Sequence, residues 1–359
     1  MEIDELDTPS LIVDLDRMER NIRRMAAFVK ECGVSLRAHA KTHKVPEISK
    51  LQLKEGSKGI CLQKVSEVEI FAANGLNDIF LTNEVVARSK LERLARIPPS
   101  VRLGIAVDCL EVIQLMSQVF RDAGREIDVY VDVDTGMHRC GVRSTSAPAL
   151  ATEIARRENL VFRGLMGYEG NVNQARTKRE QMQLSKAAMD EIVSAKKGVE
   201  KKGIKVEVVS VGSSVSTQFN AKHPDVTEVQ PGMYIFNDYV LAKRGVASWD
   251  DLALTVAGTV MSKPSATRAV VDAGSKAFNF DLGLYPVAFE ESGIVMDHFS
   301  EEHGWLRLTG RRKDVAIGDV IRFVPAHCCT AVNQFDELFG VRKGKVERKF
   351  SVVARGKMQ

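Results

Sequence analysis

Short apolar runs alternate with amphipathic segments along the chain as far as Trp249. Residues 14–31 and 176–202 combine charged residues with apolar residues at helical spacing, which predicts two long helices. The apolar runs have the length of buried strands, and they predict strands at residues 34–36, 58–62, 78–81, 102–107, 128–132, 165–168, 206–211 and 226–230. Because strands alternate with helices, parallel βα units are expected. Eight candidate strands fit a closed (β/α)8 barrel of the TIM type better than an open doubly wound sheet.

The pattern changes from about Trp249 onward. Runs rich in β-branched residues are separated by turns, and they predict strands at residues 252–260, 269–273, 305–308, 320–324 and 345–353. A mainly antiparallel β domain is therefore expected after the barrel.

Composition and charge exclude several classes of protein. With 359 residues, of which 44% are hydrophobic and 27% charged, the chain is long enough for a barrel and a second domain. The net charge of +4 comes from 51 basic and 47 acidic side chains spread along the chain, so no basic face for nucleic acid is expected. Neither a signal peptide nor a bilayer-spanning apolar segment is recognisable, which predicts a cytoplasmic protein with no membrane partner. The six cysteines are too sparse for a disulfide scaffold and are expected as reduced thiols.

The cationic segment 37–44 (RAHAKTHK) contains the candidate catalytic residue Lys41. Lys41 follows the predicted strand at 34–36, so it is expected past the C-terminal end of a barrel strand, where barrels carry their reactive groups. Neighbouring positive charge favours the neutral amine, which is the form that attacks an aldehyde to give an imine. Judged by residue types alone, a solvated surface cluster is the commoner explanation.

Two turns of small residues follow the last two predicted barrel strands. Residues 212–217 (GSSVST) come after the strand at 206–211, and residues 231–234 (PGMY) come after the strand at 226–230. Loops at these positions form the usual phosphate cup of barrels, because exposed N–H groups and a helix dipole favour an anion there. The residues expected at the phosphate are Gly212, Ser213, Gly232 and Met233.

A histidine and a cysteine two positions apart follow the predicted strand at 320–324. If the backbone stays extended, His327 and Cys329 point to one face, whereas Cys328 points away from it. Two protein ligands leave coordination positions open for water or substrate, as expected of a catalytic metal site. Packing of a buried cysteine beside a histidine is the structural alternative.

Several stretches of the chain resemble one family of pyridoxal phosphate enzymes. Residues 7–10 (DTPS), 59–67 (GICLQKVSE), 83–86 (NEVV) and 354–356 (ARG), together with the lysine segment, resemble the D-threonine aldolase and D-serine dehydratase branch of the alanine racemase fold type. The likeness is greatest on the D-threonine aldolase side. It implies an alanine racemase-like plan in which residues 11–245 form the cofactor-binding barrel and residues 1–10 plus 246–359 form the β domain. It also implies a homodimer.

The resemblance assigns roles around a bound pyridoxal 5'-phosphate. Lys41 would hold the cofactor, Arg139 would contact its phenolic oxygen, and Tyr168 would pack near its ring. Gln230 stands where alanine racemases carry an arginine that faces the pyridine nitrogen, so racemase chemistry is disfavoured. His303, in the segment 301–304, is a possible neighbour of the active site.

The resemblance also concerns the metal. The branch carries His-x-Asp or His-x-Cys at the place of His327 and Cys329, with manganese favoured by many aldolases and zinc by the dehydratases. A soft thiolate favours zinc. A divalent zinc or manganese ion is therefore expected, with His327 and Cys329 as its ligands.

Together these residues predict a pyridoxal phosphate- and metal-dependent lyase for β-hydroxy D-amino acids. The first expectation is a D-threonine aldolase, which cleaves its substrate to glycine and an aldehyde with Lys41 and His327 as catalytic residues. The closest alternative is dehydration of D-serine or D-threo-3-hydroxyaspartate, which Cys329 favours. A non-catalytic pyridoxal phosphate carrier and an alanine racemase are the remaining alternatives.

Overall fold

Eight parallel strands close into a barrel in the computed structural model, which describes residues 1–289, 292–310 and 314–359. In chain order the barrel strands are β2 (Ser35–His39), β3 (Gly59–Leu62), β4 (Asp78–Leu81), β5 (Arg102–Val107), β6 (Ile127–Val133), β7 (Leu160–Gly167), β8 (Val208–Val211) and β9 (Glu228–Val229). Each strand pairs with the next, and β9 pairs with β2. The predicted (β/α)8 barrel is confirmed.

Helices precede and follow the barrel strands. They are α1 (Leu15–Glu31), α2 (Pro46–Lys54), α3 (Val65–Ala73), α4 (Arg88–Ala95), α5 (Leu110–Asp122), α6 (Ala147–Ala155), α7 (Lys178–Glu200) and α8 (Thr217–Asn220). The predicted helices at 14–31 and 176–202 correspond to α1 and α7. Helix α7 begins at a capping box, in which Thr177 Oγ1 accepts from the Glu180 N–H at 3.2 Å and the Glu180 carboxylate accepts from the Thr177 N–H at 3.2 Å. Two backbone donors at the helix start are satisfied in this way.

The barrel interior is packed with side chains. Phe80 and Tyr130 lie with their ring centroids 4.2 Å apart, in a buried cluster with Cys61, Ala106 and Met166. Gly104 leaves the room for this packing, since a Cβ atom there would lie 2.9 Å from the Tyr130 ring. Each buried aromatic side chain contributes about 2 kcal/mol of hydrophobic stabilisation. The filled interior leaves the strand ends and the loops to carry the chemistry.

A second sheet has nine strands. They are β1 (Ser10–Asp14), β10 (Leu254–Ser265), β11 (Arg268–Val271), β12 (Val287–Ala288), β13 (Ile294–Phe299), β14 (Gly304–Leu308), β15 (Val320–Val324), β16 (Glu337–Arg342) and β17 (Lys345–Ser351). Neighbours follow the order β11-β14-β13-β12-β15-β10-β1-β16-β17, and β11 also pairs with β10. The pairing of β1 with β16 is parallel and the other pairings are antiparallel. The mainly antiparallel β domain is therefore confirmed.

The chain divides into two compact units. One comprises residues 1–23, 42–45 and 233–356 and contains the second sheet with helices α9 (Tyr239–Lys243), α10 (Ser275–Phe278) and α11 (Cys328–Val332). The other comprises residues 24–41, 46–232 and 357–359 and contains the barrel. The boundaries of 11–245 and of 1–10 plus 246–359 stay a prediction. Within the described ranges, no helix combines the length and apolar character needed to cross a bilayer.

Candidate active site

Lys41 lies just beyond the C-terminal end of the first barrel strand. Strand β2 ends at His39, and Lys41 lies in a single 3-10 turn formed by Ala40–Thr42. The backbone N–H of Lys41 donates to His39 Nδ1 at 3.4 Å. This location matches the one expected from the sequence, although the strand continues three residues past the predicted end at residue 36.

Two further predicted residues lie beside Lys41. Tyr168 is the first residue after β7, and its ring centroid lies 5.4 Å from Lys41 Nζ. Arg139 follows β6, and its Cζ atom lies 4.9 Å from the same ring centroid. An amine, a guanidinium and an aromatic ring therefore meet at the C-terminal end of the barrel, the end at which such barrels carry their active sites.

The other cations of segment 37–44 are engaged elsewhere. Arg37 is buried in the barrel and forms ion pairs with Glu228 and Asp78. Lys44 Nζ donates to the Ala354 carbonyl oxygen at 3.5 Å, and His43 Nδ1 accepts from the Val45 N–H at 3.1 Å. The segment is therefore largely buried and bonded, which is not the solvated surface cluster that its composition also allowed.

A pair of carboxyl groups lies near Arg139. Asp132 is 5% exposed, and burial together with a hydrogen bond to Glu84 raises its pKa well above the ordinary value. The positive charge of Arg139 opposes that rise. Neither acid was assigned a role from the sequence. Glu84 stands in segment 83–86, which carries the family resemblance and was the signal that could have found it.

The turn after β8 is built by its own hydroxyl groups. The Ser213 N–H donates to Ser216 Oγ at 2.7 Å, and the Thr217 hydroxyl donates to the Ser213 carbonyl oxygen at 2.7 Å. Gly212 has φ +102°, and a Cβ atom there would lie 2.9 Å from Thr217 Oγ1. A side chain at Gly212 would therefore strain the backbone and crowd Thr217.

The fit of this turn to a phosphate depends on which donors are free. The Gly212 N–H already donates to the Glu169 carboxylate, with distances of 3.0 and 3.1 Å to its two oxygens. Ser214 differs, because its Oγ atom is buried and has no hydrogen-bond partner among the described residues. A phosphate oxygen would satisfy that hydroxyl. The turn therefore fits an anion, and it adds Ser214 to the residues expected there.

Glu169 is fully buried behind the turn. It accepts from the Gly212 N–H and from the Asn220 side-chain amide. Burial raises its pKa to about 7, although these hydrogen bonds favour the charged form. The residue types around Glu169 predict no role for this carboxyl group.

The remaining predicted cofactor residues follow β9. Gln230 is the first residue after the strand and is 7% exposed. The Pro231 carbonyl oxygen accepts from the His39 N–H at 3.0 Å, which ties this loop to the end of β2. Gly232 is buried, and Met233 begins a short 3-10 helix, Met233–Ile235. Their roles at the phosphate stay predictions.

His327 and Cys329 are close together, but for a different reason from the one predicted. The expected extended backbone is wrong, because helix α11 begins at Cys328 and His327 is its N-cap residue, with φ −135° and ψ 111°. The ring of His327 makes no capping hydrogen bond to the helix backbone. It hydrogen-bonds instead to Cys329 in the first turn, while Cys328 is fully buried.

The two side chains form a charged pair. Cys329 accepts hydrogen bonds from the Cys328 thiol and from His327, which hold its pKa well below the ordinary value of a thiol. Its Sγ atom lies 3.3 Å from Thr42 Oγ1. Burial lowers the pKa of His327, but the charge of Cys329 and the hydrogen bond to Asp281 raise it to about 11. Both shifts favour the thiolate form of Cys329 and the imidazolium form of His327.

Two carboxylates support the pair. Asp281 Oδ2 lies 2.6 Å from His327 Nδ1, so Nε2 is the ring nitrogen left for a metal. Asp238 is fully buried and accepts from the N–H groups of Leu241 and Cys328, each at 3.0 Å. Burial raises the pKa of Asp238 to about 6. Asp281 and Asp238 lie far from His327 in the sequence, which carries no signal for either.

The donor set decides how well a metal fits. Within residues 1–289, 292–310 and 314–359, no group of three or more His, Cys, Asp or Glu side chains is arranged to hold a metal ion. A thiolate and an imidazole with a carboxylate behind it nevertheless suit zinc, with open positions for other ligands. The pair therefore fits the predicted two-ligand site, which stays a prediction.

His303 lies in the exposed turn between β13 and β14. Its carbonyl oxygen accepts from the Ser300 N–H at 2.9 Å, and the neighbouring Glu302 pairs with Lys276 at 2.6 Å. The role of His303 near the active site stays a prediction.

Comparison with known proteins identifies relatives along the whole chain. Residues 13–240 match the model of the alanine racemase N-terminal domain, and residues 253–341 match that of a serine dehydratase domain. The chain is 37% identical to the D-threonine aldolase of Arthrobacter sp., with 98% of this chain and 93% of the relative covered. It is 36% identical to the 3-hydroxy-D-aspartate aldolase of Paracoccus denitrificans (strain Pd 1222), with 99% and 94% covered. The crystal structure of D-threonine aldolase from Filomicrobium marinum superimposes with a TM-score of 0.96 at 36% identity, covering 100% of this chain and 98% of that one.

Proposed function

Because this chain belongs to the family of the alanine racemase N-terminal domain, we propose that it is a pyridoxal phosphate-dependent lyase of β-hydroxy D-amino acids. Its main reaction is that of a D-threonine aldolase, the cleavage of the Cα–Cβ bond to give glycine and an aldehyde. Relatives at 36 to 37% identity along nearly the full chain are aldolases, which supports this reaction over the others.

The observation that carries the proposal is the position of Lys41 at the end of β2, beside Tyr168 and Arg139. Lys41 would hold the cofactor covalently, and Arg139 would bind its phenolic oxygen. Ser214, with Gly212, Ser213, Gly232 and Met233, would bind its phosphate. When bound, pyridoxal phosphate supplies a conjugated ring that accepts the electrons of the broken bond.

His327 and Cys329 would hold a divalent metal. Such an ion supplies Lewis-acid chemistry that lowers the pKa of a bound hydroxyl group. Asp281 fixes the imidazole ring through Nδ1, and Asp238 fixes the start of the helix that carries the cysteine. Zinc is proposed as the ion because of the thiolate, with manganese as the second choice.

Two observations favour dehydration as the second candidate. Cys329 is a soft ligand, and the β domain matches the model of a serine dehydratase domain. The substrate would then be D-serine or D-threo-3-hydroxyaspartate, and the products would be ammonia and a keto acid. The homodimer and the cytoplasmic location remain part of the proposal, supported by the family resemblance and by the sequence respectively.

A product assay tests the proposal. The purified protein, loaded with pyridoxal phosphate, is given D-threonine, D-serine and D-3-hydroxyaspartate in turn, with zinc or with manganese. Glycine and an aldehyde from D-threonine are the expected products, and the Lys41→Ala variant should form neither. Ammonia and a keto acid without glycine would replace the aldolase by the dehydratase. A protein that is inert toward all three substrates would favour the non-catalytic pyridoxal phosphate carrier.

A further inference from the structure

A buried line of polar side chains runs through the barrel and ends at Gln230. Arg37 on β2 donates from Nε to Glu228 Oε2 at 3.0 Å, and its Nη1 atom lies 2.5 Å from Asp78 Oδ1. The Ser210 hydroxyl on β8 donates to the other carboxylate oxygen of Glu228 at 2.7 Å. Gln230 Nε2 in turn donates to Ser210, at 3.2 Å to its carbonyl oxygen and 3.1 Å to its Oγ atom.

This line is shielded from water. Arg37 is 2% exposed, Glu228 is 1% exposed and Ser210 is fully buried. Ser210 and Glu228 are also register partners on the neighbouring strands β8 and β9, so the backbone fixes their side chains on the same side of the barrel wall. Buried polar groups of this kind keep their hydrogen bonds, because an unpaired one costs about 1 to 3 kcal/mol. The directions of the hydrogen bonds are therefore fixed as well.

The directions determine which end of the Gln230 amide faces Ser210. Arg37 only donates, so Glu228 is the acceptor between Arg37 and Ser210. The single hydroxyl hydrogen of Ser210 is thereby used on Glu228. Ser210 then offers Gln230 nothing except acceptors, which are its Oγ lone pair and its carbonyl oxygen. The amide nitrogen must face Ser210, and Gln230 Oε1 must point away from it.

We propose that Arg37, Glu228 and Ser210 are positioning residues for Gln230. They hold its amide oxygen as a hydrogen-bond acceptor toward the ring nitrogen of the cofactor, and this keeps the ring nitrogen protonated. The proposal rests on the proposed function and on the position opposite that nitrogen that the family resemblance implies for Gln230. An acceptor pairs with an N–H group, whereas a donor such as arginine pairs with the bare nitrogen. A protonated, positively charged ring accepts an electron pair more readily, which serves bond cleavage at Cα.

The test follows the ring nitrogen itself. The holoenzyme is prepared with ¹⁵N-labelled pyridoxal phosphate, and the pH at which its ring nitrogen loses a proton is measured by ¹⁵N NMR. In the wild-type protein the resonance should be that of a pyridinium at pH 7. In Ser210→Ala one of the two acceptors for Gln230 Nε2 is lost, so the deprotonation pH should fall by about one unit, a tenfold effect that corresponds to one hydrogen bond.

Two variants separate positioning from general damage. Ser210→Thr keeps the hydroxyl and should restore the wild-type titration. Ser117→Ala removes another buried serine, which lies on α5 and bonds to Asn159, and should leave the titration unchanged. If Ser210→Ala does not fold, Gln230→Glu carries the test, because an acid presents an acceptor in either orientation. That variant should keep the ring nitrogen protonated to a higher pH.

A bare ring nitrogen in the wild-type holoenzyme at pH 7 overturns the inference. So does an unchanged titration in Ser210→Ala, or a lowered deprotonation pH in Gln230→Glu. If the wild-type protein cleaves D-threonine in any of these cases, the proposed function survives and this inference alone fails. If the protein takes up no pyridoxal phosphate, both the proposed function and this inference are overturned.

Discussion

The sequence predicted both the position of Lys41 at a strand end and the proximity of His327 to Cys329. The structure shows both features, but the reasons for the two agreements differ. Lys41 lies where a general rule of parallel barrels places reactive groups, so an error of three residues in the end of β2 did not matter. The prediction placed His327 and Cys329 side by side on an extended backbone, whereas in the protein they are neighbours at the first turn of a helix. A rule about the whole fold therefore tolerates local error, whereas a rule about local geometry can succeed for the wrong reason.

The largest effect should come from the barrel side of this comparison. Lys41→Ala removes the amine proposed to attach the cofactor, and cleavage of D-threonine should fall by roughly 10⁴-fold or more, as for the loss of a covalent nucleophile. The absorbance of lysine-bound cofactor should disappear with it. Lys54→Ala, an exposed lysine on α2, is the control. Full activity in Lys41→Ala would exclude the lysine as the attachment point.

The pair His327/Cys329 should give the next largest effect. Cys329→Ala should lower the rate by roughly 10²- to 10³-fold because the metal would lose one of its two proposed protein ligands, while the absorbance of the bound cofactor stays. Cys329→Asp should move the preferred ion from zinc toward manganese, since a carboxylate is a harder ligand. Activity and metal content are measured together. Undiminished metal content in Cys329→Ala would show that other residues hold the ion.

Glu169 allows a comparison by pH. Its pKa is about 7 in the folded protein because of burial, against an ordinary value of 4.5, so the folded protein holds a proton that the unfolded chain has lost. Stability should therefore fall as the pH rises from 4.5 to 7, by about 3 kcal/mol from this group. Urea unfolding at pH 4.5 and at pH 7 measures the free energy of unfolding. Glu169→Gln should show a smaller difference between the two pH values than the wild-type protein. The same pH dependence of the free energy of unfolding in both proteins would mean that Glu169 titrates normally.

Asp281 should give the smallest effect. Asp281→Asn weakens the acceptor that orients His327 through Nδ1, and the affinity for zinc should fall by about 10- to 100-fold. The measurement is a competition with a chelating dye, and Asp297→Asn, an exposed acid on β13, is the control. Unchanged affinity would reduce Asp281 to a surface ion pair.

The fold was predictable where hydrophobicity alone decides it. Residues 102–107 and 320–324 were predicted as strands and form β5 and β15 without a shift. Strand β2 was predicted too short because it continues through Arg37, whose charge is buried against Glu228 and Asp78. Hydrophobic patterns cannot show that such a charge has partners. Strands β13 and β16 were not predicted, because Asp297 and His298 break the apolar run of β13 and Gly340 breaks that of β16.

The site was predictable as segments but not as atoms. The turn at 212–217 was expected to bind phosphate through Gly212 and Ser213. The Gly212 amide is taken by Glu169, and the buried hydroxyl that lacks a partner among the described residues belongs to Ser214. Only the folded chain shows which donors are already used. Asp238 and Asp281 illustrate the same limit, because contacts between residues distant in sequence have no local pattern.

Strand β17 has a consequence for how the protein behaves at high concentration. It stands at the end of the sheet order, where Glu2 bridges to Lys345 and the remaining outer backbone groups would otherwise template a strand from another molecule. Four of its seven residues are charged, namely Lys345, Glu347, Arg348 and Lys349. Edge-to-edge association would bring these charges against those of a second copy. The strand therefore protects the chain from aggregation through its sheet.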